Sequence, residues 1–295
     1  MKKVSVITSA YNRVDDLQRC IDSVLTSDYL DYECIVVDNA STDGTKEVLE
    51  KKYGNQITLI SLEKNMFSTG GKNAGIEVAE GEYLWFVDSD MIVPPILMKD
   101  LVEVLDNDST IGMAGARIYY YKDKSRLWSD GASINLYTSM AKTVSGEFRE
   151  ACLTEVPVIM CGYMIRKDVL RKIGCFDDSF KIVFEESDLA MKVRKLGYHI
   201  MLLNDKKIYH NVELPEEVTE PLRFYNMETD ERAYYFARNR DVYMKKYANL
   251  WGKIIYFVFF RQMFCAYYVY IAFKFKKPKR ALAYIKGLEG KKLSE

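Results

Sequence analysis

Over the first hundred residues, short apolar runs alternate with stretches whose apolar positions recur every three to four residues. Residues 4–8 (VSVIT), 33–37 (ECIVV), 57–62 (ITLISL) and 83–87 (YLWFV) are β-rich and bounded by polar turns. Between them, Leu17, Cys20, Ile21, Val24 and Leu25 mark one face of a helix behind Asp15 and Asp16. A second helix is expected around residues 46–52, stopping near Gly54. GGKNAGIEVAEG predicts a third, closed by Gly81, and ILMKDLVEVL a fourth. Strands alternating with helices imply an α/β fold, a mostly parallel sheet with helices on both faces.

In such sheets ligands bind beyond the carboxyl ends of the strands. The polar residues there are Ser9, Tyr11, Asn12 and Arg13 after the first strand, and Asp38, Asn39 and Ser41 after the second. Asn65, Gly70, Gly71, Lys72 and Asn73 follow the third, and Asp88, Ser89 and Asp90 the fourth. Asp88 and Asp90, one residue apart, project to opposite sides of an extended chain. If the chain bends there, one can hold a divalent cation and the other a hydroxyl or a metal-bound water. Mg²⁺ and Mn²⁺ prefer carboxylate oxygens and keep ligand phosphates in their shell. Asp-Ser-Asp before MIVPP would also serve as a simple turn or cap; the shared rim with Asp38 and Lys72 favours the cation. In STGGKNAG, Gly70 and Gly71 would let backbone N–H groups approach a phosphate at a helix start. The run matches neither GxxxxGK[ST] nor GxGxxG, which argues against a dinucleotide dehydrogenase.

Lys plus Arg equals Asp plus Glu at 42 each in 295 residues, so net charge gives no case for a nucleic-acid partner. The bases are unevenly spread. From Lys274 onward, Lys276, Lys277, Lys279, Arg280, Lys286, Lys291 and Lys292 face only Glu289 and Glu295, a basic tail suited to an anionic surface or simply to water. Six cysteines without CxxC or zinc spacing suggest reduced core residues in a reducing compartment. The opening MKKVSVIT has too short an apolar run for a signal peptide and is expected to be the first strand. Of the two histidines, His199 lies in a strand-like run and His210 follows the last strand expected in this part of the chain.

Beyond LPEEVTEPL, which reads as a linker, residues 224–247 are charged, aromatic and expected to be helical. Residues 254–273 have the length of a membrane span, but Arg261 and Gln262 interrupt them near the middle. Many tyrosines and phenylalanines with lysines immediately after suit a helix lying at a membrane interface. Packing on the rest of the chain or on a second copy ranks next, and a true span last.

VSVITSAYNRVDDLQRCIDSVL, CIVVDNASTDGT, NMFSTGGKNAGIEVAEGEYLWFVDSD and GCFDDSFKIVFEESDLAMKVRKLGY follow one another in an order and spacing that resembles the family 2 glycosyltransferases, of GT-A fold, over about residues 2–212. LWSDGASIN, CGYMIRKDVLRKIGCFDDSF and YYFARNR (234–240) resemble the subgroup with rhamnosyltransferase-like enzymes of bacterial surface polysaccharide synthesis. The resemblance implies a Rossmann-like catalytic domain over residues 1–214, with a nucleotide-sugar half (1–105) and an acceptor half (106–214), and a helical extension over 215–295. It implies a nucleotide-sugar donor, Mn²⁺ or Mg²⁺, a glycan or lipid-linked acceptor, and inversion at the anomeric carbon. Thr8, Ala10 and Tyr11 match the first loop of the base pocket, and Asp38 the acid that reads the base. Lys72 and Asn73 match positions that meet ribose or diphosphate. Asp88, Ser89 and Asp90 match the DxD, with Asp90 as the firmer metal ligand and Asp88 as the ribose or water-mediated partner. His210 falls where the family often has a metal-ligating histidine.

In FEESDLAMKVRKLG a helix is expected with Leu189, Val193 and Leu196 inward and Gly197 as its stop. Acids in its first turn are favoured by the helix dipole alone. The family usually has Glu-Asp-x-Asp here, with the second acid as general base; this chain has Glu186 at that place, one methylene longer. Asp188 would brace the helix or bind acceptor, and Glu185 is the runner-up base. Acceptor contacts are expected on loops such as 119–145. A protein cytoplasmic and peripheral to the inner face of the cell membrane, with a possible homo-oligomer through the C-terminal helices, is the implied setting. A nucleotidyltransferase would need a glycine-rich, arginine-bearing first loop, which TSAYNR lacks; a non-catalytic binder would not need the acids that are present.

Overall fold

The computed structural model describes residues 4–143 and 152–293; the end of the expected 119–145 loop region, from Val144 on, lies outside them. The chain runs β1 (Val4–Ala10), α1 (Val14–Val24), β2 (Tyr32–Asp38), α2 (Thr45–Tyr53), β3 (Thr58–Ser61), α3 (Phe67–Val78), β4 (Tyr83–Phe86), β5 (Met91–Ile92), α4 (Leu97–Asn107) and β6 (Ile111–Tyr120). It continues through β7 (Leu127–Ser129), β8 (Ala132–Ile134), β9 (Ala141–Thr143), β10 (Leu153–Glu155), β11 (Tyr163–Arg166), α5 (Lys167–Lys172), α6 (Glu185–Lys195) and β12 (His199–His210). Last come α7 (Asp230–Tyr247), α8 (Leu250–Ile255), a π-helical turn (Tyr256–Phe260), α9 (Arg261–Lys274) and α10 (Pro278–Glu289). Two compact units result. One holds Met1–Ser133, Thr143–Asp178 and Glu186–Val212; the other holds Ile134–Lys142, Ser179–Glu185 and Glu213–Glu295.

The first unit is built on a mixed sheet ordered β10-β12-β6-β11-β4-β1-β2-β3, with β5 on β12 and β7 on β6. β1 pairs in parallel with β2 and β4, β2 with β3, and β12 with β6. β11 is inserted antiparallel between β4 and β6. Alternation along each strand feeds two cores, one on either face. Val4, Val6, Cys34, Val36, Tyr83 and Trp85 join Leu17, Ile21 and Val24 of α1 on one side. Ile7, Ile35, Val37, Leu84 and Phe86 join Leu189 and Val193 of α6 on the other. Because both faces are covered, all four residues of β4 are buried. Gly197 ends α6 at φ +85°, as its sequence predicts. Leu196 corrects the expected inner face: it is 47% exposed, and Ala190 takes its place beside Leu189 and Val193.

Helix α3 begins at Phe67, so Gly70 and Gly71 are interior helical residues rather than the expected phosphate loop. Their absent side chains admit close packing. A Cβ on Gly71 would stand 2.2 Å from Ser9 Oγ, and one on Gly75 2.5 Å from Ile7 Cγ2. The glycines bring α3, and Lys72 with it, down onto β1.

In the second unit α7 packs with α9 and α10 around Leu222, Met227, Ala233, Ala237, Ala272 and Tyr284. Thr229 caps α7 by accepting from the Arg232 N–H, and Asn249 caps α8 by accepting from Gly252. Arg240 is buried, 4.2 Å from the Phe236 ring and 4.5 Å from Phe264, and donates to the Tyr268 and Tyr284 hydroxyls. Leu250–Lys274 forms a helix long and apolar enough to cross a membrane. Arg261, midway along it, donates to Asp241 Oδ2 and to the Leu288 carbonyl, each at 2.8 Å. Trp251, Ile254, Val258, Phe259, Met263, Tyr267, Tyr270 and Phe273 are exposed. In the basic tail Lys277 pairs with Glu220 and Arg280 with Asp230, so part of its charge is met within this unit.

Candidate active site

The parallel register sets the site. Ala10 lies opposite Asp38, and Phe86, two residues before Asp88, lies opposite Ile7. The three strands therefore deliver their polar residues to one rim. Thr8 and Ala10 are buried within β1, while Tyr11 is exposed beyond it. Asp38 is buried and accepts from the Ser41 N–H at 3.0 Å. The Asn12 N–H donates to Ser41 Oγ and the Thr42 N–H donates to Asn12 Oδ1, which ties the first and second loops together. Asn39 accepts from the Met66 N–H and donates to the Phe67 carbonyl, fixing the start of α3.

Lys72 joins two acids that are far apart in sequence. Its Nζ is 2.6 Å from Glu186 Oε1 and 3.7 Å from Asp88 Oδ1. Its side chain is 8% exposed and that of Glu186 11%, whereas Asp88 is 37% exposed. Withdrawal from water pushes the Asp88 carboxyl above its ordinary value; Lys72 opposes this, and Glu186 and Asp90 add to it. Asn73, the neighbour of Lys72, uses its amide on the Phe176 carbonyl (3.1 Å) and Asp178 (2.9 Å) and accepts from the Phe176 N–H. It fastens a loop in this structure.

The chain does bend at the DxD. Ser89 is buried in a turn closed by the Met91 N–H on the Asp88 carbonyl, and the two carboxylates diverge. Asp90 Oδ1 is 3.1 Å from His210 Nε2, and Asp90 Oδ2 is 2.8 Å from Arg13 Nη1. Burial works to raise the Asp90 carboxyl, but hydrogen bonding from His210 and the charges of His210 and Arg13 outweigh it and hold it below the usual carboxylate range. The Asn211 N–H donates to the Asp90 carbonyl, pinning the end of β12 to this turn. Trp128 meets the His210 ring edge-on at 4.6 Å.

Among the described residues no group of three or more His, Cys, Asp or Glu side chains is arranged to hold a metal. A divalent cation bound through a nucleotide needs fewer protein ligands, because phosphate oxygens and water fill its shell. The convergence of Asp90 and His210 on one point, with Asp90 kept ionised, fits a two-ligand site of that kind.

On α6, Glu185 and Asp188 are buried, and Glu186 is partly so. Asp188 forms a 3.2 Å ion pair with Lys192 in the following turn. His199 lies at the far end of β12 from His210 and pairs with Glu155. Sequence reasoning did not assign Arg13 to Asp90 or Lys72 to Glu186. Arg13 stands on the predicted rim, but residues 72 and 186 become neighbours only through the fold.

The family model described as Glycosyl transferase family 2 matches residues 5–174. Succinoglycan biosynthesis protein ExoO of Rhizobium meliloti is 30% identical over 168 residues, 57% of this chain and 43% of that protein. The UDP-Glc:alpha-D-GlcNAc-diphosphoundecaprenol beta-1,3-glucosyltransferase WfaP of Escherichia coli is 33% identical over 90 residues, 30% of this chain and 36% of that protein. The matched stretch is thus less than half the length of either relative. Among solved structures, the mannosyltransferase PcManGT of Pyrobaculum calidifontis, in complex with GDP-Man and Mn²⁺, has a TM-score of 0.60 at 18% identity, covering 99% of this chain and 76% of that one. At that identity the likeness speaks to the fold.

Proposed function

The chain belongs to glycosyl transferase family 2, and from that premise we propose that it transfers a sugar, with inversion, from a nucleoside-diphosphate donor to a glycan or lipid-linked acceptor in polysaccharide synthesis. The observation that carries the reading is Lys72 lying between Asp88 and Glu186, which ties the DxD rim to a carboxylate brought from 98 residues later in the chain, 186 less 88. Glu186 is the base: it accepts the proton of the acceptor hydroxyl as that oxygen attacks the anomeric carbon. A group so placed contributes ~10²–10⁴ in rate. Lys72 holds the Glu186 carboxylate at 2.6 Å and would also meet donor oxygens. Asp38 recognises the nucleotide base, Tyr11 lines its pocket, and Asp88 meets the ribose. Asp90 and His210 would hold Mn²⁺ or Mg²⁺, which when bound neutralises charge on the departing diphosphate. Asp188, paired with Lys192, braces α6.

The succinoglycan role in the name of ExoO and the diphosphoundecaprenol acceptor in the name of WfaP support a polysaccharide setting and a lipid-linked acceptor. The exposed aromatic and aliphatic residues of Leu250–Lys274, flanked by lysines, support a protein lying against an anionic membrane surface. The test is Glu186→Gln together with a thermal-shift screen of UDP-, dTDP- and GDP-sugars with Mn²⁺. The variant should keep donor binding and lose transfer; full turnover would move the base to Glu185 or Asp188.

A further inference from the structure

Segment Ser179–Glu185 belongs to the same compact unit as α7 and leads directly into Glu186. Its backbone is strained. Lys181, Val183 and Phe184 have φ of +60°, +67° and +73°, a region that L residues other than Gly, Asn and Asp rarely occupy and that β-branched residues avoid. Such conformations persist only where the surroundings over-determine them.

The surroundings here come from one face of α7. Asn239, fully buried, turns its amide nitrogen to three carbonyl oxygens: Phe180 at 2.6 Å, Ile182 at 2.8 Å and Val183 at 2.9 Å. Its Oδ1 accepts from Arg238 Nη1 at 2.7 Å, and the same nitrogen donates to the Ser179 carbonyl at 2.7 Å. Three acceptors on one side and a cation on the other permit a single orientation of the amide. Phe236 and Tyr243, three residues before and four after Asn239, pack tilted against Phe184, ring centres 6.3 and 5.5 Å away. Lys246, one turn further, lies over the Phe180 ring at 5.6 Å. Helix α7 thus engages five of the seven residues of the segment, which explains the Arg-Asn pair within YYFARNR.

We propose that Asn239 is a positioning residue for the transfer reaction. By holding the carbonyls of residues 180, 182 and 183 it keeps the segment in its left-handed course, and so fixes where α6 starts and where the Glu186 carboxylate stands. This rests on Glu186 being the base. Only an amide can serve. Aspartate has the same shape but no donors, and would set a negative charge against three carbonyl oxygens.

The test compares wild type, Asn239→Asp, Glu186→Gln and Asn239→Asp/Val183→Gly in the full chain. Two readouts are used: hydrogen exchange of the 179–188 peptide, and turnover of whichever sugar nucleotide the wild type consumes with Mn²⁺. In Asn239→Asp, exchange in that peptide should rise at least tenfold while β1 and β4 are unchanged. Its kcat should fall roughly a hundredfold, the scale of a ~1 Å misplacement, with donor KM within twofold. Glycine at 183 adopts positive φ freely, so the double variant should regain part of the lost kcat. Unchanged exchange, or a kcat within twofold of wild type while Glu186→Gln is inactive, overturns the proposal. Full turnover by Glu186→Gln overturns the base assignment instead. Should Asn239→Asp not fold, Arg238→Ala decides: a three- to tenfold fall in kcat with faster exchange in the same peptide supports the clamp, and wild-type values for both overturn it.

Discussion

Replacing Lys72 by methionine separates what the site needs for chemistry from what it needs for stability. The Lys72 and Glu186 side chains are 8% and 11% exposed and 2.6 Å apart, so little water would reach the carboxylate left behind. Removing one member of a buried pair costs ~3–5 kcal/mol. Asp88, 37% exposed, shows that water reaches one side of the site, which places the loss near the lower end, about 3 kcal/mol. Glu186→Gln should cost less, about 1–2 kcal/mol, because Lys72 keeps Asp88 at 3.7 Å and gains an amide oxygen. Lys72→Met with Glu186→Leu removes both charges; such exchanges are neutral or stabilising by up to ~4 kcal/mol. Urea unfolding followed through Trp85, buried in the core of the first unit, reads all four corners of the cycle. The double variant should be inactive yet at least as stable as wild type, marking the charges as retained for catalysis. A Lys72→Met protein within about 0.5 kcal/mol of wild type, the ordinary scatter of surface changes, would refute the reasoning by showing the pair to be solvated.

Asp90→Asn should abolish the Mn²⁺-dependent part of any thermal shift given by a sugar nucleotide. Because the Asp90 carboxyl is held below its ordinary value, its stabilisation is complete at neutral pH and is lost as pH falls through the depressed folded value, below about 4; Tm against pH should flatten there in the variant. Burial pushes the Cys34 thiol up to about 12 and raises those of Cys20 and Cys161 as well, so iodoacetamide at pH 8 should label exposed Cys152 first and those three only on unfolding. Gly75→Ala drives a Cβ to 2.5 Å from the β-branched Ile7, and overpacking of ~1–3 kcal/mol against a helical gain of up to ~1 kcal/mol should leave a net loss in urea. Trp251→Glu with Phe259→Glu should release the chain from vesicles containing anionic lipid without lowering donor binding; if it instead converts a dimer to monomer in sedimentation velocity, the exposed face is a self-association surface.

What the sequence yields about the fold follows from the range over which its signals act. Leu17, Cys20, Ile21 and Val24 announce α1 because helical periodicity is local, and β4 announces itself as a continuous apolar run. The four residues of β11 carry no mark of direction, so its antiparallel insertion was not foreseen. Gly70, Gly71 and Gly75 signal close approach, and only the fold tells a phosphate from the side chains of β1. The rim itself was legible, since parallel strands put Asp38, Asp88 and Asp90 beyond the same ends, and α3 adds Lys72 beside Asp88. The link from Lys72 to Glu186 was not, because it spans 114 residues and depends on where α6 packs. Arg238 and Asn239 were visible as a motif, but their partners are backbone carbonyls, to which side-chain patterns give no clue.

The position of β12 bears on how the chain is made. It follows β1–β11 along the chain, yet it lies inside the sheet between β10 and β6 and contributes His210 to the rim. A nascent polypeptide can assemble β1 to β4 as they emerge from the ribosome, but one edge of β6 stays open until about residue 210 has cleared the exit tunnel. At ~5–20 residues per second that exposure lasts several seconds, and during it one open edge of a ten-residue strand is offered to any neighbouring chain.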